Sequence, residues 1–267
     1  MSYLGENIGF GLVTYQWGRD WDLPTLIANC TQAGVGAVEL RTTHAHGVEP
    51  KLDRAARDEV RRRFEDSPVR CLGPGSNENF DSPDPEKLKA AIATTEVFLR
   101  LSHDIGGTGV KVKPDSFHDG VPHEQTIDQI GKALAQLGDH AMGLGQEIRL
   151  EVHGQCSELP TIAKIMEVAD HPQAVVCWNS NPQDLTGAGL EANFEFVKEK
   201  LGKTVHARDL GGDAYPYPDL IGLLVAADYD GYVLIEASSE PEDRVIALTE
   251  QREIFEKLLR EARVAAL

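Results

Sequence analysis

The chain has 267 residues, of which 41% are hydrophobic and 26% charged, and its 43 acidic and 26 basic residues give a formal net charge of −17. This composition is typical of a soluble globular protein with a sizeable core, and the negative charge disfavours binding to the phosphate backbone of nucleic acids. No apolar run reaches the roughly 18 residues of a membrane span. The first residues lack the basic and apolar regions of a signal peptide, so we expect a cytoplasmic protein. The four cysteines form no CxxC pair, which predicts reduced thiols.

Eight short segments with β-strand character recur along the chain. They cover residues 8–13, 37–41, 69–73, 109–113, 148–154, 174–179, 203–208 and 232–238. Successive segments start 26 to 40 residues apart, which leaves room for one helix after each strand.

The intervals between these segments carry helix signals. Asp22 precedes Leu23-Pro24, an N-cap followed by an early proline, and Ser157 similarly precedes Pro160. Residues 123–145 place apolar side chains on one stripe of an amphipathic helix. Glycines expected to end helices are Gly34, Gly143, Gly145 and Gly202.

Eight strands that alternate with eight helices predict an α/β fold, a single (β/α)8 TIM barrel formed by residues 1–267 as one domain. A doubly wound open sheet is the alternative, and the near-equal repeats favour closure of the barrel.

Alternate residues of the predicted strands differ in chemistry. In the second strand, Val38 and Leu40 alternate with Glu39 and Arg41. Because successive side chains point to opposite faces, we expect the apolar class to face the helices and the polar class to face the barrel interior. The predicted interior set is Glu39, Arg41, Lys111, Lys113, Glu151, His153, Asn179, His206, Arg208 and Glu236. Most stand near strand C-termini, where such barrels carry their catalytic sites, and a structural ring of ion pairs is the alternative.

Three interior side chains from different strands form a candidate metal site. Glu151, His206 and Glu236 offer two carboxylates and one imidazole, donors that suit Mg²⁺, Mn²⁺, Co²⁺ or Zn²⁺. Asn179, at the end of the sixth strand, can supply a fourth and neutral oxygen.

At these residues the sequence resembles the xylose-isomerase-like barrels of the sugar-phosphate isomerase/epimerase superfamily. The likeness is carried by Glu151 in LEVHG, Asn179 at the sixth strand end, His206 in VHARD and Glu236 in YVLIEAS, and it extends over the whole chain. It implies that these four residues surround a divalent cation and that the two glutamates act as acid and base. Two positions depart from the family pattern: Asn179 stands where aspartate is usual, and Pro182 stands where the ketose epimerases have a histidine that helps to hold substrate.

The expected chemistry is proton abstraction beside a carbonyl. A divalent ion that chelates a carbonyl and the adjacent hydroxyl makes the carbon-bound proton between them more acidic, because the enediolate that forms is held electrostatically. The prediction is therefore a metal-dependent sugar or sugar-phosphate isomerase or epimerase. A lyase or dehydratase that expels a β-leaving group from a keto-sugar or keto-polyol is the alternative, and the two departures strengthen it. An abasic-site endonuclease and a non-catalytic sugar-binding barrel are less favoured.

Further candidates surround the predicted metal site. His153 lies on the same face of its strand as Glu151 and is a candidate proton shuttle. The alternative is that His153 only forms a hydrogen bond with Glu151. Candidates for binding substrate oxygens, a carboxylate or a phosphate are Lys111, Lys113, Arg208 and Arg41, unless they only balance the glutamates. His44 and Trp17, in predicted loops, complete the substrate-binding set. We expect a small carbohydrate as substrate, no membrane or nucleic-acid partner, and self-association as one possible state.

Overall fold

The computed structural model describes residues 4–266, which form a closed barrel of eight parallel strands, with each strand next to its successor in the chain and β8 beside β1. The strands are β1 Gly9–Val13, β2 Ala37–Arg41, β3 Arg70–Asn79, β4 Gly109–Lys113, β5 Glu147–Glu151, β6 Ala174–Asn179, β7 Leu201–Ala207 and β8 Tyr232–Ile235. The helices are α1 Leu23–Ala33, α2 Arg54–Glu65, α3 Pro85–Asp104, α4 His123–Met142, α5 Leu159–Ala169, α6 Leu190–Glu195, α7 Tyr217–Ala226 and α8 Arg244–Ala265. Short 3₁₀ helices lie at Gly154–Cys156, Pro182–Leu185 and Lys198–Lys200. The predicted (β/α)8 barrel is confirmed, and the open sheet is excluded.

Several helix ends follow from the residues that flank them. The Asp22 carboxylate accepts a hydrogen bond of 2.9 Å from the Thr25 amide and caps α1, and Gly34 ends that helix with a φ of 72°. The apolar stripe predicted for residues 123–145 is buried along α4, with Ile130 and Leu137 fully enclosed.

Two predicted helix boundaries are wrong. Ser157 follows the 3₁₀ helix Gly154–Cys156, and α5 begins only after Glu158, whose side chain makes no cap bond. Gly202 lies inside β7 instead of ending a helix, because Lys198–Lys200 lead directly into that strand. A Cβ at position 202 would stand 2.4 Å from Cγ2 of Val175 on β6, so the glycine allows the two strands to pack.

The apolar residues of the strands face the surrounding helices, as the alternation predicts. Val38, Leu40, Val110, Val112 and Leu150 are all buried to 1% exposure or less. Each such side chain contributes about 1.5–3 kcal/mol by leaving water, so this layer between strands and helices stabilises the barrel. None of the helices within residues 4–266 combines the length and hydrophobicity needed to cross a membrane.

Strand β3 is longer than the predicted segment that ends at Gly73. It continues through Pro74 and Gly75 to Asn79, and Gly75 lies opposite both Arg41 and Lys111, with register shifts in the pairing to each neighbouring strand. A Cβ at Gly73, which has a φ of 116°, would stand 1.9 Å from the carbonyl oxygen of Gly109. Glycine is therefore required for β3 to approach β4.

An ion pair lies in the N-terminal half of the barrel interior. Arg149 is 1% exposed, and its guanidinium lies 2.7 Å from Glu147, 2.9 Å from the Leu72 carbonyl and 2.7 Å from the Thr108 hydroxyl. Every partner lies in a strand or directly before one, so this cluster holds neighbouring strands together inside the barrel. The polar residues of the candidate site lie at the opposite, C-terminal ends of the strands.

Candidate metal centre and cavity

Three donor groups converge at the C-terminal ends of the strands. Glu151 ends β5, His206 lies in β7 and Glu236 directly follows β8, and their ligand atoms lie within 4.8 Å of one another. The Nδ1 atom of His206 lies 3.4 Å from Glu151 Oε1 and 3.5 Å from Glu236 Oε2. This nitrogen is buried and has no hydrogen-bond partner among the described residues. An unpartnered imidazole nitrogen between two carboxylates is the donor arrangement that a divalent cation requires, so the residues fit the predicted metal.

Neighbouring side chains hold these donors in place. Glu39 lies 3.3 Å from the other ring nitrogen of His206, Nε2, and such a carboxylate fixes the orientation of a ligating imidazole. The Lys111 ammonium lies 2.8 Å from Glu151 Oε2, and the Asn179 amide donates a 2.9 Å hydrogen bond to Glu151 Oε1. Asn179 therefore contacts the cluster as a donor to Glu151, and its role as a metal ligand stays a prediction.

Burial and charge act in opposite directions on this cluster. Burial raises the pKa of Glu151, but Lys111 and His206 outweigh it, so the pKa lies well below its usual value. Burial also raises the pKa of Glu39, and His206 and Lys111 again produce a net lowering. Burial lowers the pKa of His206, yet Cys177, Glu39 and Glu151 raise it well above its usual value. Both buried carboxylates are therefore held in the ionised form that binds cations.

A cavity of about 590 Å³ opens over this cluster. Its lining contains eight of the ten predicted interior residues, namely Arg41, Lys111, Lys113, Glu151, His153, Asn179, Arg208 and Glu236. Glu39 and His206 lie beneath it, 1% and 0% exposed. Tyr15, Asn181 and Ser238 also line the cavity and were not predicted. Tyr15 and Asn181 lie in loops outside the predicted strand segments, whereas Ser238 shares the parity of Glu236 in the predicted segment 232–238 and could have been found from it.

His153 is held by a carboxylate that the sequence analysis missed. Its Nδ1 lies 2.7 Å from Asp115 Oδ1, and Asp115 Oδ2 accepts a 3.0 Å bond from the Asn79 amide. Asp115 has a φ of 50°, and a Cβ at Gly154 would stand 2.4 Å from the Asp115 carbonyl oxygen. The hydrogen bond from His153 lowers the pKa of Asp115. The pairing with Asp115 replaces the alternative in which His153 bonds Glu151, and a close approach of two loops maintains it.

Two predicted substrate-binding residues lie outside the lining of this cavity. Trp17 is 4% exposed, and its indole nitrogen donates a 2.8 Å hydrogen bond to the Ser239 carbonyl. His44 is half-buried, with Nδ1 3.3 Å from the Thr14 hydroxyl, and burial together with His46 lowers its pKa. In this arrangement both residues pack loops against the barrel.

Comparisons with known proteins agree with this fold. A family model described as "Xylose isomerase-like TIM barrel" matches residues 27–260. Among curated proteins, no sequence matches the chain.

Solved structures share the fold at low sequence identity. An L-ribulose 3-epimerase superimposes with a TM-score of 0.83 at 15% identity, covering 97% of each chain. The 3-keto-D-glucoside 4-epimerase YcjR from E. coli superimposes with a TM-score of 0.78 at 14% identity, covering 94% of this chain and 99% of its own. The IOLI protein with a bound zinc atom superimposes with a TM-score of 0.76 at 15% identity, covering 95% of this chain and 99% of its own.

Proposed function

Because the chain belongs to the xylose isomerase-like TIM barrel family, we propose that it is a divalent-metal-dependent enzyme that isomerises or epimerises a sugar or sugar phosphate. The observation that carries this proposal is the buried, unpartnered Nδ1 of His206 between the carboxylates of Glu151 and Glu236, at the floor of a polar cavity. Support also comes from the similar structures, which include sugar epimerases and a protein with bound zinc.

Glu151, His206 and Glu236 would hold the cation, with Asn179 as a fourth ligand. The metal is Mn²⁺, Mg²⁺, Co²⁺ or Zn²⁺, and when bound it supplies Lewis-acid polarisation of a substrate carbonyl. Glu39 keeps the His206 imidazole oriented from below, at 3.3 Å.

The two glutamates at the cavity floor act as acid and base. Glu151 reaches the cavity from β5 and Glu236 from the end of β8, so a carbon held between them can lose a proton to one carboxylate. Delivery of a proton from the other carboxyl group to the opposite face of that carbon gives epimerisation, and return of the removed proton to the neighbouring carbon gives isomerisation. Lys111, at 2.8 Å, keeps Glu151 ionised and ready to accept the proton.

The side chains of the cavity wall bind the rest of the substrate. Arg41, Lys113 and Arg208 present donors to substrate oxygens. His153, oriented by Asp115, is the candidate proton shuttle at the mouth. His44 and Trp17 lie outside the cavity lining and have no part in binding the substrate there.

A lyase or dehydratase acting on a keto-sugar or keto-polyol is the second candidate. The His153–Asp115 pair favours it, because a proton carrier that is separate from the metal ligands suits protonation of a departing group. Loss of a proton to a carboxylate, followed by expulsion of the protonated β-substituent, would then give the eliminated product.

Metal content and product mass test the two candidates. Purified protein should contain about one divalent ion per chain, and a panel of keto-sugars with Mn²⁺ or Mg²⁺ should give a new sugar of unchanged mass. Loss of water or of another group would instead establish elimination. Glu236→Gln should abolish turnover with the circular dichroism spectrum unchanged, whereas Glu242→Gln, an exposed site in the same loop, should leave turnover intact.

The remaining function classes predict different results. Protein that gains neither thermal stability nor activity from any of the four metals would be a non-catalytic barrel, and this outcome contradicts the proposal. Salt-dependent binding to an abasic DNA duplex would contradict it in favour of an endonuclease.

A further inference from the structure

The cavity carries more positive charge than its own acidic groups balance. Its lining contains four cationic side chains and two carboxylates, Glu151 and Glu236, in a protein whose formal net charge is −17. A bound divalent cation would add to this excess. A cavity with excess positive charge in a protein of negative net charge indicates a site for a negatively charged ligand.

The ion pairs show which cations are free. Lys111 is neutralised by Glu151 at 2.8 Å. No carboxylate within residues 4–266 forms an ion pair with Arg41, Lys113 or Arg208. Among the described residues, the direct contacts of the Arg41 guanidinium are with neutral groups: its Nη1 donates to the Asn77 side-chain oxygen, and it lies 5.5 Å from the centre of the Tyr15 ring. Its Nε is buried and has no hydrogen-bond partner among the described residues.

Arg41 and Lys113 are placed to act on one ligand. Arg41 ends β2 and Lys113 ends β4, two strands apart and so about 10 Å across the sheet, within reach of two long side chains. Gly75 of β3 lies opposite Arg41 and Lys111, Lys113 lies opposite Asn79 further along β3, and Arg41 and Lys113 line the same cavity. Burial lowers the pKa of Lys113, and repulsion from the positive charges of Lys111 and Arg41 lowers it further, which together outweigh the raising effect of the Glu151 and Asp115 carboxylates.

Partly buried cations that repel each other are unfavourable until an anion joins them. A guanidinium with a free Nε and an adjacent ammonium offer the paired, charge-assisted hydrogen bonds that carboxylates and phosphates accept. We infer that Arg41 and Lys113 form an anion subsite at the β2–β4 side of the cavity, and that the substrate is an acidic sugar carrying a carboxylate or a phosphate there. This inference rests on the proposed function for the reacting end of the substrate, which would lie over Glu151 and Glu236.

Calorimetry with simple anions tests the subsite directly. Inorganic phosphate and acetate are titrated separately into the Mg²⁺-loaded protein at constant ionic strength, and the tighter of the two identifies the group that the subsite prefers. Arg41→Gln and Lys113→Gln should each raise the Kd about tenfold or more, because each removes a charged donor. Lys89→Gln, which removes the same charge from an exposed position on α3, should leave the Kd unchanged.

A second arm uses substrate. For keto-sugars matched in skeleton, Lys113→Gln should raise KM for the acidic member far more than KM for the neutral member. Arg41→Lys retains the charge and should recover part of the affinity that Arg41→Gln loses, which separates loss of the subsite from loss of folding. Anion binding that is equally tight in both Gln variants and the wild-type protein, or absent from the folded wild-type protein, would overturn the inference.

The inference and the proposed function can fail independently. Glu236→Gln should lose metal-dependent turnover, and adding Arg41→Gln or Lys113→Gln to that variant should still raise the Kd for the anion about tenfold or more. If no keto-sugar is turned over but the anion affinity depends on Arg41 and Lys113, the proposed function fails and the subsite stands. If neutral keto-sugars are turned over and anions do not bind, the subsite fails and the proposed function stands.

Discussion

Replacement of Asp184 by Asn should change how the stability of the protein depends on pH. Asp184 lies in the 3₁₀ helix Pro182–Leu185 and is fully buried. Its Oδ2 accepts hydrogen bonds from the main-chain N–H of Asn181 at 2.9 Å and from the Tyr215 hydroxyl at 2.7 Å, while its Oδ1 has no hydrogen-bond partner among the described residues. The carboxyl group thus joins the loop after β6, which lines the cavity through Pro182, to the loop after β7.

Burial raises the pKa of Asp184 from 3.8 to about 7. Because the folded state then holds a proton that the unfolded state releases, the free energy of unfolding decreases as pH rises from about 4 to about 7. The whole difference corresponds to about 4 kcal/mol, of which about 2 to 3 kcal/mol falls between pH 5 and pH 8. The side chain of asparagine cannot ionise, so the variant should gain that amount over the wild-type protein between these two pH values.

Urea unfolding followed by circular dichroism gives the free energy of unfolding of both proteins at pH 5 and pH 8. The quantity of interest is the difference between the variant and the wild-type protein, compared at these two pH values. The cost of replacing the buried carboxyl group by an amide is the same at both pH values, so it cancels from the comparison. Asp119→Asn, at an exposed site, is the matched control and should show no pH-dependent difference. Tyr215→Phe removes a donor that favours the ionised carboxyl group, so it should steepen the loss of stability with pH. Equal stability differences between wild type and Asp184→Asn at the two pH values would refute the reasoning.

Other substitutions test the packing and the metal centre. Gly131→Ala on α4 should destabilise the protein by about 1–3 kcal/mol, because a Cβ there would stand 2.5 Å from Cβ of Val168. Gly222→Ala on α7 meets nothing within 4 Å and should stabilise by about 0.5–1 kcal/mol, and thermal unfolding of both variants measures the contrast. Glu39→Gln should weaken Mn²⁺ binding about 10- to 100-fold in calorimetry, since the carboxylate beside His206 is lost; unchanged affinity would contradict its orienting role.

The strand pattern was readable from the amino-acid sequence because side chains alternate strictly between two faces of a strand. Apolar residues such as Val38 and Val110 had to be buried against helices, which left Glu39 and Lys111 facing the interior. The repeat of strand and helix favoured closure into a barrel over an open sheet, and closure brought the strand ends together. Local rules failed at Gly202 and in β3, where contacts with neighbouring strands outweigh the usual tendency of glycine and proline to end an element.

Parity alone could not show which interior charges pair, because pairing depends on distances between strands that are far apart in the chain. His206 and Glu39 are separated by 167 positions, and Asp115 and His153 by 38, and no periodicity links them. The folded barrel joins Lys111 to Glu151 and leaves Arg41 and Lys113 without an acidic partner among the described residues. The sequence therefore contains the list of charged groups at the mouth, and the packing of the strands determines which of them remain free to bind a ligand.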